Sequence, residues 1–273
     1  MDENIARSKK EELICNLKKL PSLLIAFSGG VDSAFLLAVA QQSLGDMVIA
    51  ATARSHVFPS RELEEAVKLC RGKGIQHIIF ESNQMTIPGF ASNPPDRCYH
   101  CKKHLCGRLI QIAEEKHIQH IAHGINLDDR SDYRPGITAA KEMGILSPLM
   151  DARLSKAEIR FLSKEMGLTV WDKPATACFA SRIPYGSPIT REKLKMVEEA
   201  EGFLVENGFR QIRVRHHGSI ARIETEISDL NKILANGMRR RILQKLKKIG
   251  FTHVSVDMEG YVSGSMNQDL DIL

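Results

Sequence analysis

The chain has 273 residues and a net charge of +5, and 43% of its residues are hydrophobic and 26% charged. This is an ordinary composition for a globular protein with one large domain or two modest ones. No apolar run is long enough to cross a bilayer, and the charged N-terminus lacks the apolar core of a signal peptide, so we expect a cytoplasmic protein. Aromatic residues make up only 5%. That is low for a protein that stacks on single-stranded bases, so a nucleic-acid partner is not expected.

Strand and helix patterns alternate along the first part of the chain. This alternation predicts an α/β fold in which a parallel sheet carries helices on both faces. Ser60 is expected to cap a helix that has Leu63, Ala66, Val67 and Cys70 on one face. Residues 124–136 are expected to form a polar loop. The strands are predicted at 22–27, 47–53, 76–80 and 118–122, and further helices at 2–19, 33–43, 99–115 and, opened by the Ser155–Glu158 capping box, 155–166.

A proline-containing segment at 171–188 indicates a domain boundary. We place one domain at residues 1–178 and a smaller α+β domain at residues 179–273. The second domain is predicted to contain a helix at 190–206, strands at 211–217, 219–226 and 252–257, and a single basic helix at 228–248.

The stretch Ser28-Gly29-Gly30-Val31-Asp32-Ser33 lies directly between a predicted buried strand and a helix. Its glycines let the backbone approach a ligand closely, and the exposed N–H groups at the start of the helix favour an anion. Ser28 and Ser33 add hydroxyl donors, and Asp32 would act through Mg²⁺. An ordinary Gly-Gly turn is the alternative interpretation.

No Gly-Lys-Ser/Thr follows these glycines, so this is not a Walker A loop. The stretch resembles the PP-loop of the N-type ATP pyrophosphatases. The resemblance implies that Ser28, Gly29, Gly30, Asp32 and Ser33 bind ATP, and that pyrophosphate is released while AMP is transferred to a substrate.

The chain has six cysteines, of which Cys98 and Cys101 stand three residues apart at the start of a predicted helix. Residues at this spacing share a helix face and can chelate one centre, with Cys178 as the natural third ligand. Cys106 is rotated away from this pair and is expected in the core. Three thiols suit an iron–sulfur cluster with one open iron that could carry a labile sulfide, whereas zinc or no metal is equally compatible with the spacing.

Longer motifs resemble one family far more specifically than the loop does. The family is LarE, which makes the sulfur-containing nickel-pincer cofactor of lactate racemase, and the resemblance covers roughly residues 20–270. The matching stretches are 93–103 (NPPDRCYHCKK), 130–136 (RSDYRPG), 171–175 (WDKPA), 180–186 (ASRIPYG), 213–218 (RVRHHG), 259–261 (EGY) and 263–267 (SGSMN).

This resemblance implies ATP-dependent sulfur transfer to a small nucleotide, a pyridinium dicarboxylate mononucleotide. A carboxylate of the substrate is adenylated, and sulfur then displaces AMP to give a thiocarboxylate. Some members of the family sacrifice the cysteine that matches Cys178 and leave dehydroalanine, whereas others hold a [4Fe-4S] cluster. Because Cys98, Cys101 and Cys178 are all present, the chain resembles the cluster-bearing branch. Family members also assemble as hexamers.

Two groups of polar residues are candidates for contacts with the substrate. Arg213 and Arg215 are two apart on a predicted strand, so they share a face and could grip the substrate phosphate; a solvated strand face is the alternative. Ser181 and Arg182 lie within a turn of Cys178 and could orient the incoming substrate.

Glu201 and Glu224 are candidates for a second cation or for binding AMP, and plain surface carboxylates are the alternative. One stretch departs from the family pattern, since His123-Gly124-Ile125-Asn126 stands where an acidic residue, Gly, Thr and Asn are expected. This loop follows a strand at the edge of the sheet where ligands bind.

Two other functions are compatible with parts of this pattern. A tRNA-thiolating PP-loop enzyme also uses three cysteines, but the low aromatic content and the resemblance along the whole chain argue against it. A non-catalytic ATP-binding sensor is the second alternative, and release of pyrophosphate on addition of substrate would distinguish it from an enzyme. An ammonia-using synthetase would leave the three cysteines without a task.

Overall fold

The computed structural model describes residues 1–131, 135–262 and 264–267. The chain divides into two compact units. The first consists of Met1–Ser55, Ser60–Ile87 and Asp96–Ala175, and the second of His56–Pro59, Pro88–Pro95 and the chain from Thr176 onward. The predicted boundary after Cys178 falls just inside the second unit. No helix in the described part of the chain is both long and apolar enough to cross a bilayer.

The first unit is a parallel sheet with strand order β3–β2–β1–β4. Leu23 and Ile25 of β1 face a core formed with α1, α2 and α7, whereas Leu24 faces a second core formed with α4 and α5. Helices therefore cover both faces, and the predicted α/β class is confirmed. The elements are α1 (Glu3–Leu17), β1 (Leu23–Ala26), α2 (Val31–Leu44), β2 (Val48–Arg54), α3 (Ser60–Gly72), β3 (Gln76–Glu81), α4 (Arg97–Glu115), β4 (His120–His123), α5 (Pro135–Glu142), α6 (Pro148–Asp151) and α7 (Lys156–Glu165).

Helix α5 (Pro135–Glu142) was not predicted, and it overlaps the loop expected at 124–136 only at the last two residues of that loop. The placement of Val67 among the core-facing residues of α3 is wrong. Val67 is 37% exposed, because α3 turns the nearby Leu69 towards the core instead. Residues 132–134 of the RSDYRPG motif lie outside the described residues.

The second unit is an α+β arrangement in which the sheet has the strand order β5–β6–β7. Strands β5 and β6 are antiparallel, whereas β6 and β7 are parallel. Apolar residues of α8 and α10 pack with this sheet around Phe209 and Phe251. Ser263 and residues 268–273 lie outside the described residues. The elements are α8 (Arg191–Glu206), β5 (Ile212–His217), β6 (Ile220–Thr225), α9 (Leu230–Leu234), α10 (Asn236–Ile249) and β7 (His253–Val256).

The single helix predicted at 228–248 is two helices. Ala235 lies between α9 and α10 with extended backbone angles, φ −55° and ψ 133°. Asn236 and Gly237 follow it, and both are weak helix formers, which favours a break at this point. The pattern of basic residues continues across the break and therefore did not reveal it.

His123 ends β4 inside the protein and is only 5% exposed. Its Nε2 lies 2.8 Å from Ser147 Oγ, and within the described part of the chain Nδ1 has no hydrogen-bond partner. Burial, with a smaller contribution from the Lys102 charge, lowers the pKa of His123 from 6.5 to about 3. The native state therefore holds this ring neutral, whereas the unfolded chain protonates it in mild acid.

We expect the protein to lose stability in mild acid because of His123. The free energy of unfolding should fall as the pH drops below about 6.5, since the unfolded state then binds the proton that the native ring rejects. Between pH 7 and pH 5 the free energy of unfolding of the wild type should fall by about 2 kcal/mol more than that of a His123→Gln variant. Urea unfolding at the two pH values measures this difference. His120→Gln on the same strand is the control, and an equal pH dependence in wild type and His123→Gln would contradict the assignment.

Candidate functional site

Two glycines shape the loop between β1 and α2. Gly29 has φ +77°, and a Cβ at this position would lie 3.0 Å from the carbonyl oxygen of Glu62, so both the conformation and the space require glycine. Gly30 is the N-cap of α2, and among the described residues no side chain caps this helix. The N–H groups of the first turn, at the positive end of the helix dipole, are therefore not taken up by a side-chain cap, an arrangement that favours an anion.

Ser28 and Ser33 brace this loop through their hydroxyl groups. The two Oγ atoms are 3.1 Å apart, and Ser33 Oγ donates to the Gly30 carbonyl oxygen at 3.1 Å. Ser33 is buried, whereas Ser28 is exposed. Ser33 thus maintains the loop conformation, and the Ser28 hydroxyl is the one accessible to a ligand.

Asp32 lies in the first turn of α2 with its side chain only 20% exposed. Its Oδ2 accepts from Lys156 Nζ at 2.5 Å, whereas its buried Oδ1 has no hydrogen-bond partner within the described residues. Burial raises the pKa of Asp32, and the charge of Lys156 opposes this shift. A buried carboxylate oxygen without a donor is a fitting ligand for a hard cation, so this position is compatible with Mg²⁺.

The loop after β4 lies directly against this turn. A Cβ at Gly124 would lie 2.7 Å from the backbone nitrogen of Ser33, so only glycine fits here. Asn126 Oδ1 accepts from the N–H of Asp128 at 2.9 Å, and Asp128 Oδ2 accepts from the N–H of Lys156 at 2.9 Å. The stretch that departs from the family pattern therefore keeps its glycine at the closest contact, and the loop behind it fixes the start of α7.

Lys173 contacts the phosphate loop from a different segment. Its Nζ donates to the carbonyl oxygen of Gly29 at 3.2 Å and pairs with Glu62 at 2.8 Å and Glu65 at 2.5 Å. The Lys173 side chain is only 14% exposed. A second ammonium group, besides that of Lys156, is thus held at the loop.

In the second unit, Cys178 precedes a tight 3₁₀ turn, Phe179–Arg182. Ser181 Oγ donates to the carbonyl oxygen of Cys178 at 2.8 Å. The Nη1 of Arg182 donates to the same oxygen at 3.3 Å and to Ser181 Oγ at 2.8 Å. Ser181 and Arg182 therefore hold the backbone of Cys178, whose own side chain is half-buried.

Arg213 and Arg215 of β5 are 5% and 8% exposed, so the alternative of a solvated strand face is wrong for both. Arg215 donates to Ser181 O at 2.6 Å and forms a two-pronged pair with Glu224 at 2.9 and 2.8 Å. The guanidinium carbon of Arg213 lies 5.1 Å from the centre of the Tyr261 ring. Burial and a neighbouring guanidinium lower the pKa of Arg213.

Glu201 and Glu224 are buried, each 1% exposed, and are not surface carboxylates. Glu201 accepts from Arg182 Nε at 2.8 Å and Nη2 at 3.0 Å, and Glu224 accepts from Arg222 as well as from Arg215. A second cation at these carboxylates would have to compete with guanidinium groups already bound there.

Cys98 and Cys101 lie in the first two turns of α4, where residues three apart share a face, and both are half-buried. They belong to the first unit, whereas Cys178 belongs to the second. Within residues 1–131, 135–262 and 264–267, no three His, Cys, Asp or Glu side chains are grouped to hold a metal ion. Cys106 is 1% exposed in the core of the first unit, as its spacing predicted.

The sequence did not point to Lys156 or Lys173 as site residues. Lys156 follows the Ser155 cap of α7, and Lys173 lies in the WDKPA motif, which carried no assigned role. The only indication was indirect: the phosphate loop itself has no basic residue, so cations have to come from elsewhere in the fold.

No model of a known protein family matches the chain. An uncharacterized protein of Synechocystis is 41% identical over 96% of this chain and 98% of its own length. The pyridinium-3,5-bisthiocarboxylic acid mononucleotide synthase of Lactiplantibacillus plantarum is 36% identical over 96% of this chain and 95% of its own. A glutamine-hydrolyzing GMP synthase of Aeropyrum pernix is 26% identical over an aligned region that spans 66% of this chain and 38% of the GMP synthase.

The two more similar relatives match along nearly the whole of both chains, so the likeness includes both units. The match to a GMP synthase is consistent with the loop between β1 and α2 and with the parallel sheet that carries it. From the resemblance in its motifs and its 36% identity with the synthase of Lactiplantibacillus plantarum, this chain belongs to the LarE family of PP-loop proteins.

Proposed function

We propose that this protein is an ATP-dependent sulfur transferase that converts a carboxylate of a pyridinium dicarboxylate mononucleotide into a thiocarboxylate. The observation that carries the proposal is the N-terminus of α2, which follows Gly29 and Gly30, has no side-chain cap and lies next to the half-buried Asp32. It supports binding of a polyphosphate in a chain whose relative is named as a bisthiocarboxylic acid mononucleotide synthase.

The first proposed step joins AMP to the substrate. A carboxylate oxygen attacks the α-phosphorus of ATP, and the bond from that phosphorus to the oxygen bridging the α- and β-phosphates breaks. Its electron pair leaves with pyrophosphate. The N–H groups of the first turn of α2 and the Ser28 hydroxyl would bind the pyrophosphate as its charge develops.

Mg²⁺ is part of this proposal and would be held by Asp32, whose unpartnered Oδ1 suits it. When bound, the ion would neutralise phosphate charge. The protein's own contribution is the Lys156 ammonium group, whose charge favours the ionised form of Asp32 and opposes the burial that raises its pKa.

The second unit is proposed to bind the substrate and to mediate oligomerisation. Two buried arginines of this unit, Arg213 and Arg215, would bind the substrate phosphate. We propose that Glu201 positions Arg182 and that Glu224 positions Arg215, because each carboxylate forms a bidentate ion pair with its arginine.

The second proposed step transfers sulfur at Cys178. A thiolate attacks the carbonyl carbon of the acyl-adenylate, and AMP leaves with the electrons of the broken C–O bond. If the thiolate is that of Cys178, a base then removes its α-proton, the Cβ–S bond breaks, and the sulfur departs as thiocarboxylate while dehydroalanine remains. Ser181 and Arg182 would hold the backbone of Cys178 during this chemistry.

The alternative source of sulfur is a [4Fe-4S] cluster, for which Cys98, Cys101 and Cys178 would be the ligands. When bound, a cluster with an open iron supplies a transferable sulfide and spares the cysteine. The three half-buried thiols are chemically suitable donors, and two of them share a helix face. We further propose a cytoplasmic homo-oligomer, a hexamer by family resemblance, that acts on a small nucleotide and not on nucleic acid.

The first test is release of pyrophosphate. Wild-type protein with ATP, Mg²⁺ and the mononucleotide should form pyrophosphate, and Asp32→Asn should slow this roughly 100-fold because the carboxylate for the cation is lost. Asp46→Asn, on the exposed turn after α2, is the control and should not change the rate. Bound ATP without pyrophosphate release would support a sensor, and turnover on co-purified tRNA would support a tRNA thiolase.

The second test follows the Cys178 side chain through one turnover. If Cys178 is sacrificed, mass spectrometry of the intact protein should show the loss of one hydrogen sulfide, located at residue 178 by peptide mapping. If a cluster supplies sulfur, anaerobically purified protein should contain iron and sulfide, and Cys178 should survive. Cys15→Ala removes an exposed thiol and serves as the control. Undiminished thiocarboxylate formation by Cys178→Ala would exclude both routes.

A further inference from the structure

The phosphate loop lacks a cation of its own, although the pyrophosphate it is proposed to bind is strongly negative. Its sequence, Ser28–Ser33, contains glycines, serines, a valine and an aspartate but no lysine or arginine. In a Walker A loop a lysine within the motif contacts the β- and γ-phosphates. Backbone N–H groups carry only partial charges, so full positive charges have to reach this loop from other segments.

Two lysines meet this requirement from different parts of the first unit. Lys173 Nζ lies 3.2 Å from the carbonyl oxygen of Gly29, in the middle of the loop. Lys156 Nζ lies 2.5 Å from Asp32 Oδ2, in the first turn of the helix that the loop opens. The two lysines are 17 positions apart in the chain, one at the first position of α7 and the other beyond its end, and yet both ammonium groups contact the same short loop.

Both ammonium groups are held in place by carboxylates. Lys173 pairs with Glu62 and Glu65 of α3, and Lys156 pairs with Asp32. The Lys173 and Lys156 side chains are 14% and 29% exposed, so neither is a freely solvated surface lysine. Carboxylates that hold a flexible ammonium group reduce the entropy that a ligand would otherwise lose in ordering it.

We propose that Lys156 and Lys173 are ligands of the pyrophosphate part of ATP and together replace the lysine of a Walker A loop. When the nucleotide binds, phosphate oxygens take over part of the contacts now made by Asp32, Glu62 and Glu65. The cations then oppose the charge that develops on the leaving pyrophosphate. This inference rests on the proposed function, since it assigns roles within the same ATP site.

The alternative is that the two ion pairs only maintain the shape of the loop. A structural role and a ligand role differ in which ligands they affect. Loss of a pyrophosphate ligand weakens binding of pyrophosphate but not of AMP, which lacks the β- and γ-phosphates. Collapse of the loop would weaken both, because both ligands are proposed to bind in the same site.

The experiment measures binding of inorganic pyrophosphate and of AMP to the full chain by titration calorimetry with Mg²⁺ present. Lys156→Met and Lys173→Met should each weaken pyrophosphate binding about tenfold, the usual effect of losing one charge-assisted hydrogen bond, and leave AMP binding unchanged. Lys156→Arg and Lys173→Arg, which keep the charge, should recover part of the loss. Lys9→Met is the matched control, because Lys9 pairs with Glu158 on α7 at 2.7 Å without touching the loop; it should bind both ligands as the wild type does.

Pyrophosphate binding that is unchanged in either methionine variant would overturn the assignment of that lysine. An equal loss of pyrophosphate and AMP binding would overturn it in favour of a structural role. The proposed function fails separately: a wild type that binds pyrophosphate but releases none from ATP and the mononucleotide refutes sulfur transfer by adenylation and leaves the two lysines as pyrophosphate ligands.

Discussion

The backbone around the first turn of α2 is packed so closely that only glycine is tolerated at two of its neighbours. Gly29 lies against the carbonyl of Glu62, and Gly124 lies against the backbone of Ser33. Helix α2 is buried along most of its length, from Val31 to Ala40, so its N-terminus cannot shift to relieve a larger side chain. The position of the open N–H groups is therefore set by core packing, and every contact proposed for ATP depends on it.

Both units contain ion pairs whose side chains are largely shielded from solvent. Lys156 pairs with Asp32 and Lys173 with Glu62 in the first unit, and Arg182 pairs with Glu201 in the second. Burial of such pairs costs desolvation energy that their attraction only partly offsets, so they are weak contributors to net stability. Each pair also keeps a cation ordered within a partly dehydrated site, which is what the proposed anionic ligands would require.

Much of the fold could be predicted from periodicity and capping. The strands of the parallel sheet, the strands β5 and β6 of the second unit and the capping box of Ser155 all follow from local patterns, and the structure contains them. The helix boundaries that were not predicted also have local causes. Helix α5 (Pro135–Glu142) follows a run of polar residues and was not predicted, and Ala235 breaks a basic helix whose charge pattern continues across it.

The sequence alone determined the phosphate loop, the cysteine spacing and the turn from Cys178 to Arg182, because the residues of each are neighbours in the chain and act through local geometry. Only the tertiary structure brought Lys156 and Lys173 to the loop, buried Glu201 and Glu224 against arginines, and isolated His123 from water. These contacts join residues far apart in sequence. Their formation depends on how α3, α7 and the strands pack, and no spacing along the chain encodes that packing directly.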